Sequence, residues 1–235
     1  MKLKEIIEFI DKNIPKTLAQ KNDKIGFKKE YDLNQNIDSI KIFMDLYPKF
    51  DLNEPNTLIL THHPPLFNPV TPTYTIHSNW DIINGGANEA LAKSLNLKVI
   101  SPFDRNTNIG RICETNKNFK EIKKDILTKF KEIRIVNTPD KNKQLHKIGI
   151  ISGFGLKNTN YIKLAHELQL DLLISGDLTH ESAILAKNLN ISLIDLGHHN
   201  SEIPGLYGLK EILKPLNIKC EVINIKPWEN ITGGC

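Results

Sequence analysis

"DLLISGDLTHESAILAKNLNISLIDLGHHNSE", residues 171–202, contains the unit that decides the fold. Its apolar runs at 171–175 and 191–196 have the length and β-branched content of buried strands, and the apolar residues between them recur at helical spacing over 181–189. The same alternation continues in both directions. Further strands are predicted at 39–46, 57–60, 98–100, 133–136, 147–152 and 220–225, and further helices at 3–13, 87–96, 118–131, 159–168 and 205–213. Such a pattern predicts an α/β fold with largely buried strands. The polar segment "NTPDKNKQ" (137–144), which carries a proline, is the natural boundary. It divides the chain into an N-terminal α/β lobe, 1–136, and a C-terminal one, 145–235. There is no short-period repeat and no low-complexity tract.

Composition narrows the function classes. With 235 residues, 40% hydrophobic and 25% charged, the chain can bury a sizeable core. The net charge of +4 is mild and its bases are interleaved with acids, so nothing calls for a nucleic-acid partner. Even the most basic stretch, "KNFKEIKKDILTKFKEIR" (117–134), sets Phe119, Ile122, Ile126, Leu127 and Phe130 on one helical face and leaves its lysines on the solvated one. Three cysteines, Cys113, Cys220 and Cys235, stand far apart and in no C-x-x-C pairing, which argues against a disulfide framework and against a cysteine zinc site. The amphipathic N-terminus lacks the uninterrupted apolar core of a signal peptide, and no stretch approaches the ~20 apolar residues of a membrane span. A reducing compartment, the cytoplasm, is the expectation.

The histidines are distributed unevenly. His146 and His166 stand alone and read as ordinary imidazoles, whereas His62 and His63, His180, and His198 and His199 all follow predicted strands. Loops at strand ends are where α/β sheets present their ligand-binding groups. His77 precedes Asp81, and His198 precedes Glu202, by four residues, which on a helical turn brings the paired side chains to one face. Mixed imidazole and carboxylate donors suit divalent transition metals, and a carboxylate can bridge two ions where a ring nitrogen cannot. In an extended segment His62 and His63 point opposite ways, so each pair could supply one ligand to each of two metals, or one ligand and one supporting group. Taken alone, each pair is equally an ordinary hydrogen-bonded loop; together they point to a shared site.

Other chemistries find little support. The chain lacks G-x-G-x-x-G, the P-loop, G-x-S-x-G and H-E-x-x-H. "SGFG" (152–155) reads either as a tight turn or as backbone that approaches a ligand closely.

On these residues the chain resembles the NIF-three-like dinuclear-metal proteins, known as GTP cyclohydrolase I type 2 homologues. The segment 175–202 is similar to the family's T-G-[DE]-x-x-x-H followed by a strand and G-H-[HY]-x-[ST]-E. "THHPPLF" (61–67) is similar to its strand-end His-His, and "HSNWDIINGGANEALAKSLNL" (77–97) to H-x-N-x-D followed by Gly-Gly and a helix. "KNDKIGF" (21–27) looks like a degraded W-D-N-x-G-L, with Asn22 in place of the Trp and Lys24 in place of the Asn.

The resemblance implies two divalent metals held by His62, His63, Asp81, His198 and Glu202, with Glu202 suited to bridge. His77 matches a position near the metals, as a ligand or a supporting group. His180 matches a histidine lining the cleft, and either of the two is suited to shuttle protons. His199 falls where relatives have His or Tyr and is read as a wall residue. Two similar α/β lobes around a shared metal cleft, no inserted domain, and a ring-shaped homohexamer are also implied. The implied reaction is conversion of GTP to dihydroneopterin triphosphate: water attacks C8 of the guanine, the imidazole ring opens and C8 leaves as formate. Arg105 and Arg111, in "SPFDRNTNIGR", are the nearest cations for a triphosphate. Two-metal sites serve phosphoester hydrolysis equally well, and a non-enzymatic metal store or scaffold is the alternative of a different class.

Overall fold

A computed structural model of the chain describes residues 1–229. Two sheets organise it. The first contains β1 (Gly26–Phe27), β2 (Ser39–Phe43), β3 (Thr57–Thr61), β4 (Thr73–Thr75) and, from far down the chain, β11 (Lys219–Ile223). Their order is β1-β4-β3-β2-β11, parallel except for β1. The second contains β5 (Lys98–Pro102), β6 (Arg111–Glu114), β7 (Arg134–Val136), β8 (Lys147–Ile150), β9 (Leu172–Ser175) and β10 (Leu193–Asp195). There the order is β5-β6-β8-β9-β10-β7, with a parallel centre, β8-β9-β10, and antiparallel flanks. The helices are α1 (Leu3–Asn13), α2 (Ser78–Ile82), α3 (Ala87–Ser94), α4 (Phe119–Lys129), α5 (Thr159–Glu167), α6 (His180–Leu189) and α7 (His198–Leu213). Among the described residues no helix is long and apolar enough to cross a membrane. Cys235 lies outside the described residues.

The α/β expectation holds, and all eight predicted strands lie within a residue or so of observed ones at their start or core. Strands β3, β9 and β10 are buried along their whole length, as parallel strands covered on both faces must be. The unexpected elements are short or polar. β1, β4 and α2 have too few residues to show a period, and β6 reads Arg-Ile-Cys-Glu.

The segment 137–144 does not separate the two sheets. β5, β6 and β7 precede it yet belong to the second sheet, while α7 and β11 follow it and pack on the first. It is a surface connection within one sheet, from edge strand β7 to β8, and Asn137 anchors it by donating from Nδ2 to the carbonyls of Ala186 (2.8 Å) and Ile191 (2.9 Å). The chain instead crosses between lobes at α3 and at the start of α7. Ala87 of α3 packs in the first core, and Leu91 and Ala92 pack in the second.

Helix α7 begins seven residues before the predicted 205–213, because Pro204 and Gly205 read as a helix break. Packing overrides that signal. At Gly205 an added Cβ would lie 2.7 Å from Ala87 Cβ and 3.3 Å from Trp80 Nε1, so the glycine lets α7 lie directly against α3. This contact fixes the first turn of α7, which carries His198 and Glu202, against the end of β3.

Candidate metal centre

β3 ends at Thr61, but its register continues two residues further: the amides of His62 and His63 donate to the carbonyls of Phe43 (3.0 Å) and Met44 (2.9 Å). The two imidazoles are thus held on a stiff strand end, with ring centroids 4.9 Å apart. His77 caps α2 and Asp81 lies one turn into it. His198 opens α7, with Glu202 one turn on. All six side chains meet at the carboxyl ends of β3, β4 and β10, where open α/β sheets bind ligands.

Glu202 lies at the centre. Its Oε1 is 3.5 Å from His62 Nε2 and 3.2 Å from His198 Nε2, and its Oε2 is 3.3 Å from His63 Nε2. Asp81 Oδ1 is 3.6 Å from His62 Nε2. Two groups of donor atoms result, His62 with His63 and His77, and His63 with His198 and Glu202, each with all its atoms within 4.8 Å of one another. The carboxylate of Glu202 thus presents one oxygen to each of the vicinal histidines.

Every one of the four imidazoles is oriented the same way. Nδ1 of His62 lies 3.1 Å from the carbonyl of Ile76, and Nδ1 of His63, His77 and His198 lies 2.8 Å from Asp45, Asp23 and Asp177 respectively. An Nδ1–H donated outwards leaves the Nε2 lone pair facing inwards, the tautomer that a metal-binding histidine needs. Asp23 is itself gripped by the amide (3.0 Å) and hydroxyl of Ser78. Sequence reasoning missed these three aspartates, since none stands at chelate spacing from a histidine. The available signal was position: Asp45 and Asp177 follow the ends of β2 and β9, and Asp23 keeps the Asp of the W-D-N-x-G-L pattern.

The electrostatics mark the centre as a cation site. His62 Nε2, Asp81 Oδ1 and Glu202 Oε2 are buried without a hydrogen-bond partner among the described residues. Each would carry a desolvation cost that ligation to a cation offsets. Burial raises the Glu202 carboxyl, but His62, His198 and His63 outweigh it and hold the group well below the usual carboxylate range. Asp81 moves the other way: burial lifts it more than His62 lowers it, and the Glu202 charge adds to the rise. Burial lowers His63 and His198 too, yet Asp45 with Glu202, and Asp177 with Glu202, raise them to about 10. Five carboxylates surround four imidazoles, a mixed set of oxygen and nitrogen donors. A divalent metal ion fits this donor set by its chemistry, by its fixed tautomers and by its buried atoms that lack a hydrogen-bond partner among the described residues.

The "SGFG" turn has a structural answer. Gly153 sits at φ +77°, and a Cβ there would fall 2.1 Å from Glu202 Oε1. Its amide donates to Ser201 Oγ (2.9 Å), which ties the turn to α7. The backbone does approach something closely, namely the central carboxylate.

Other expected residues lie elsewhere. His180 opens α6, is exposed and holds no ion pair to the cluster; Asp177, three residues earlier, makes that contact instead. His199 is buried behind the site with Nε2 2.8 Å from Asn224 Oδ1. Arg105 is exposed. Arg111 is only 3% exposed, and its guanidinium is committed to Glu89 (2.9 Å) and the carbonyls of Ile82 (2.6 Å), Ile83 (3.3 Å), Asn108 (2.9 Å) and Gly110 (2.8 Å). It holds the turn after α2 to β6 and has no donor left for a triphosphate.

Comparison with known proteins agrees with this architecture. The family model Duf34/NIF3 (NGG1p interacting factor 3) matches residues 1–73 and 71–229. A protein of Methanothermobacter thermautotrophicus named "GTP cyclohydrolase 1 type 2 homolog" is 33% identical over 230 residues, covering 97% of this chain and 95% of its own. The reduced HcgD of Methanocaldococcus jannaschii superposes with a TM-score of 0.82 at 30% identity, covering 96% of this chain and 98% of that one. A Bacillus cereus protein related to NIF3 shares the fold, with a TM-score of 0.78 at 17% identity over 98% of this chain and 99% of its own. From the family match across nearly its whole length and from these relatives, the chain belongs to the DUF34/NIF3 family.

Proposed function

We propose that the protein is a hydrolase dependent on two divalent metal ions, acting on GTP as the names of its relatives suggest. His62, His63, Asp81, His198 and Glu202 would hold the ions, with His77 completing the group around His62 and His63. One observation carries the reading: three buried donor atoms without a hydrogen-bond partner among the described residues converge with the Nε2 atoms of His63 and His198. Divalent ions bound there supply Lewis acidity and bring the pKa of water down towards neutrality.

The chain's own residues complete the chemistry. Glu202, whose Oε1 faces His62 and His198 and whose Oε2 faces His63, would supply the central carboxylate that holds the ions. Asp23, Asp45 and Asp177 hold their histidines' Nδ1 protons and fix the orientation of the rings, and Asp45 and Asp177 raise the basicity of His63 and His198. The side chains of His63, His77 and His198 are 21%, 31% and 29% exposed, whereas that of Glu202 is 4% exposed, so substrate approaches from the histidine side. His77, on that side and held at Nδ1 by Asp23, is the group best placed to pass a proton to a departing nitrogen. We also propose that the chain works in the cytoplasm as a ring-shaped homohexamer, which sedimentation would register as six times the chain mass of 26.7 kDa.

The test is a turnover screen. Protein loaded with Zn, Mn, Fe or Co is incubated with GTP, a phosphodiester or a phosphomonoester, and formate and phosphate release are followed. Formate released from GTP, and lost in Glu202→Gln, is expected. Absence of turnover with every metal and substrate would refute the hydrolase reading and leave a metal-binding protein.

A further inference from the structure

A cavity of about 490 Å³ adjoins the metal centre along the chain, and the site described above does not use it. One wall is the segment Lys24 to Lys28, which follows Asp23, the partner of His77. The facing wall is Pro64, Pro65 and Leu66, which follow His63 directly. The backbone amide of Lys24 donates to the same Asp23 oxygen, Oδ1, that faces His77 Nδ1 (2.9 Å and 2.8 Å), so cavity wall and cluster are rigidly joined.

The chemistry of this cavity is one-sided. Two lysines line it and no aspartate or glutamate does. Lys24 has no carboxylate partner among the described residues, and Lys28 Nζ reaches only the carbonyl of Pro65, at 2.8 Å. Elsewhere in the chain lysines do meet acids, as Lys41 meets Glu54 and Lys117 meets Asp125. The remaining lining is largely apolar, from Ile25, Phe27, Pro64 and Leu66, with Thr75 as its polar member, and Leu66 is left 99% exposed at the rim. Arg111, by contrast, has its guanidinium committed to Glu89 and to backbone carbonyls.

We propose that this cavity is the phosphate subsite of the cleft: Lys24 and Lys28 hold the phosphates of a polyphosphorylated ligand whose sugar lies on the apolar wall and whose reacting end reaches the metal centre. The assignment rests on the hydrolase reading for its substrate class. Lysine binds phosphate as a point charge, and both lysines lie on the 24–28 wall, where Lys28 reaches across to the carbonyl of Pro65 on the facing wall.

The probe is inorganic tripolyphosphate, titrated calorimetrically into full-length, metal-loaded protein at moderate salt. Wild type is set beside Lys24→Ala/Lys28→Ala, Lys24→Arg/Lys28→Arg, and Lys123→Ala/Lys124→Ala on the exposed face of α4 as a control of equal charge change. A loss of at least about tenfold in affinity for the first variant, with retention in the arginine variant and the α4 control, is expected. Equal affinity in wild type and Lys24→Ala/Lys28→Ala would overturn the subsite, as would an equal loss in the α4 control. Metal content and GTP turnover, measured on the same samples, separate the two claims. Lysine-dependent binding without turnover would sink the hydrolase reading and leave the subsite standing; turnover with lysine-independent binding would do the reverse.

Discussion

Replacing Gly153 with Ala should empty the metal centre while leaving the fold in place. The new Cβ would sit 2.1 Å from Glu202 Oε1, 3.0 Å from its Cδ and 3.4 Å from His198 Cε1. Restoring ordinary contact requires the carboxylate to move by about 1 Å, whereas metal–ligand distances tolerate only ~0.2 Å. Glu202 cannot retreat, because α7 is seated on α3 through Gly205. The φ of +77° adds a backbone cost of about 1–2 kcal/mol for any L-residue. Gly85 separates the two effects: it has nearly the same φ, +78°, with nothing within 4 Å of its Cβ position. Gly85→Ala should therefore lower the melting temperature by several degrees, about as much as the strain in Gly153→Ala does, yet bind metal normally. Gly153→Ala should bind metal about 10–100-fold more weakly, or worse, when titrated against a competing chelator. If Gly153→Ala keeps the parent's affinity, Glu202 is not the shared ligand that its central position suggests.

The aspartates behind the histidines allow a gentler test. Asp45→Asn and Asp177→Asn keep a hydrogen-bond acceptor at Nδ1 but remove the charge, and each should weaken metal binding about tenfold without changing the unfolding midpoint by much. Metal affinity should also rise with pH. Carboxylates raise His63 and His198 to about 10, so a proton competes with the ion for each imidazole and metal binding must release it. Titrations at about pH 6 and about pH 8 should show tighter binding at the higher value, with an enthalpy that depends on the buffer's ionisation; a flat profile would contradict this. Arg111→Ala should cost about 3 kcal/mol in urea unfolding, because it strips four backbone carbonyls and Glu89 of a buried partner, while metal content of the folded protein stays unchanged.

Local physics made much of this molecule readable from its sequence. Strands such as β3 and β9 have apolar centres and are buried over their whole length, and histidines placed directly after strands reach the carboxyl edge of a sheet whatever the topology. Two kinds of feature stayed hidden. The lobes could not be divided correctly, because β11 pairs with β2 in the register Lys219 to Ser39, a contact between distant parts of the chain that no local pattern announces. The supporting aspartates were equally invisible: Asp23 reaches His77, and Asp45 reaches His63, only after the strand order has placed their loops together. Arg111 shows the opposite error. A cation near a predicted site reads as free in sequence, whereas its neighbours in three dimensions consume every donor.

The most direct test of the central claim is metal content per chain by elemental analysis, on protein purified without chelator or affinity metal, beside Asp81→Ala and His198→Ala. These residues come from α2 and α7, elements far apart in the chain that meet at Glu202 and His62. The account predicts about two equivalents in the parent and a fall in both variants, with melting temperatures showing that both still fold. A parent that carries no metal, and retains none after addition of Zn or Mn, would contradict it.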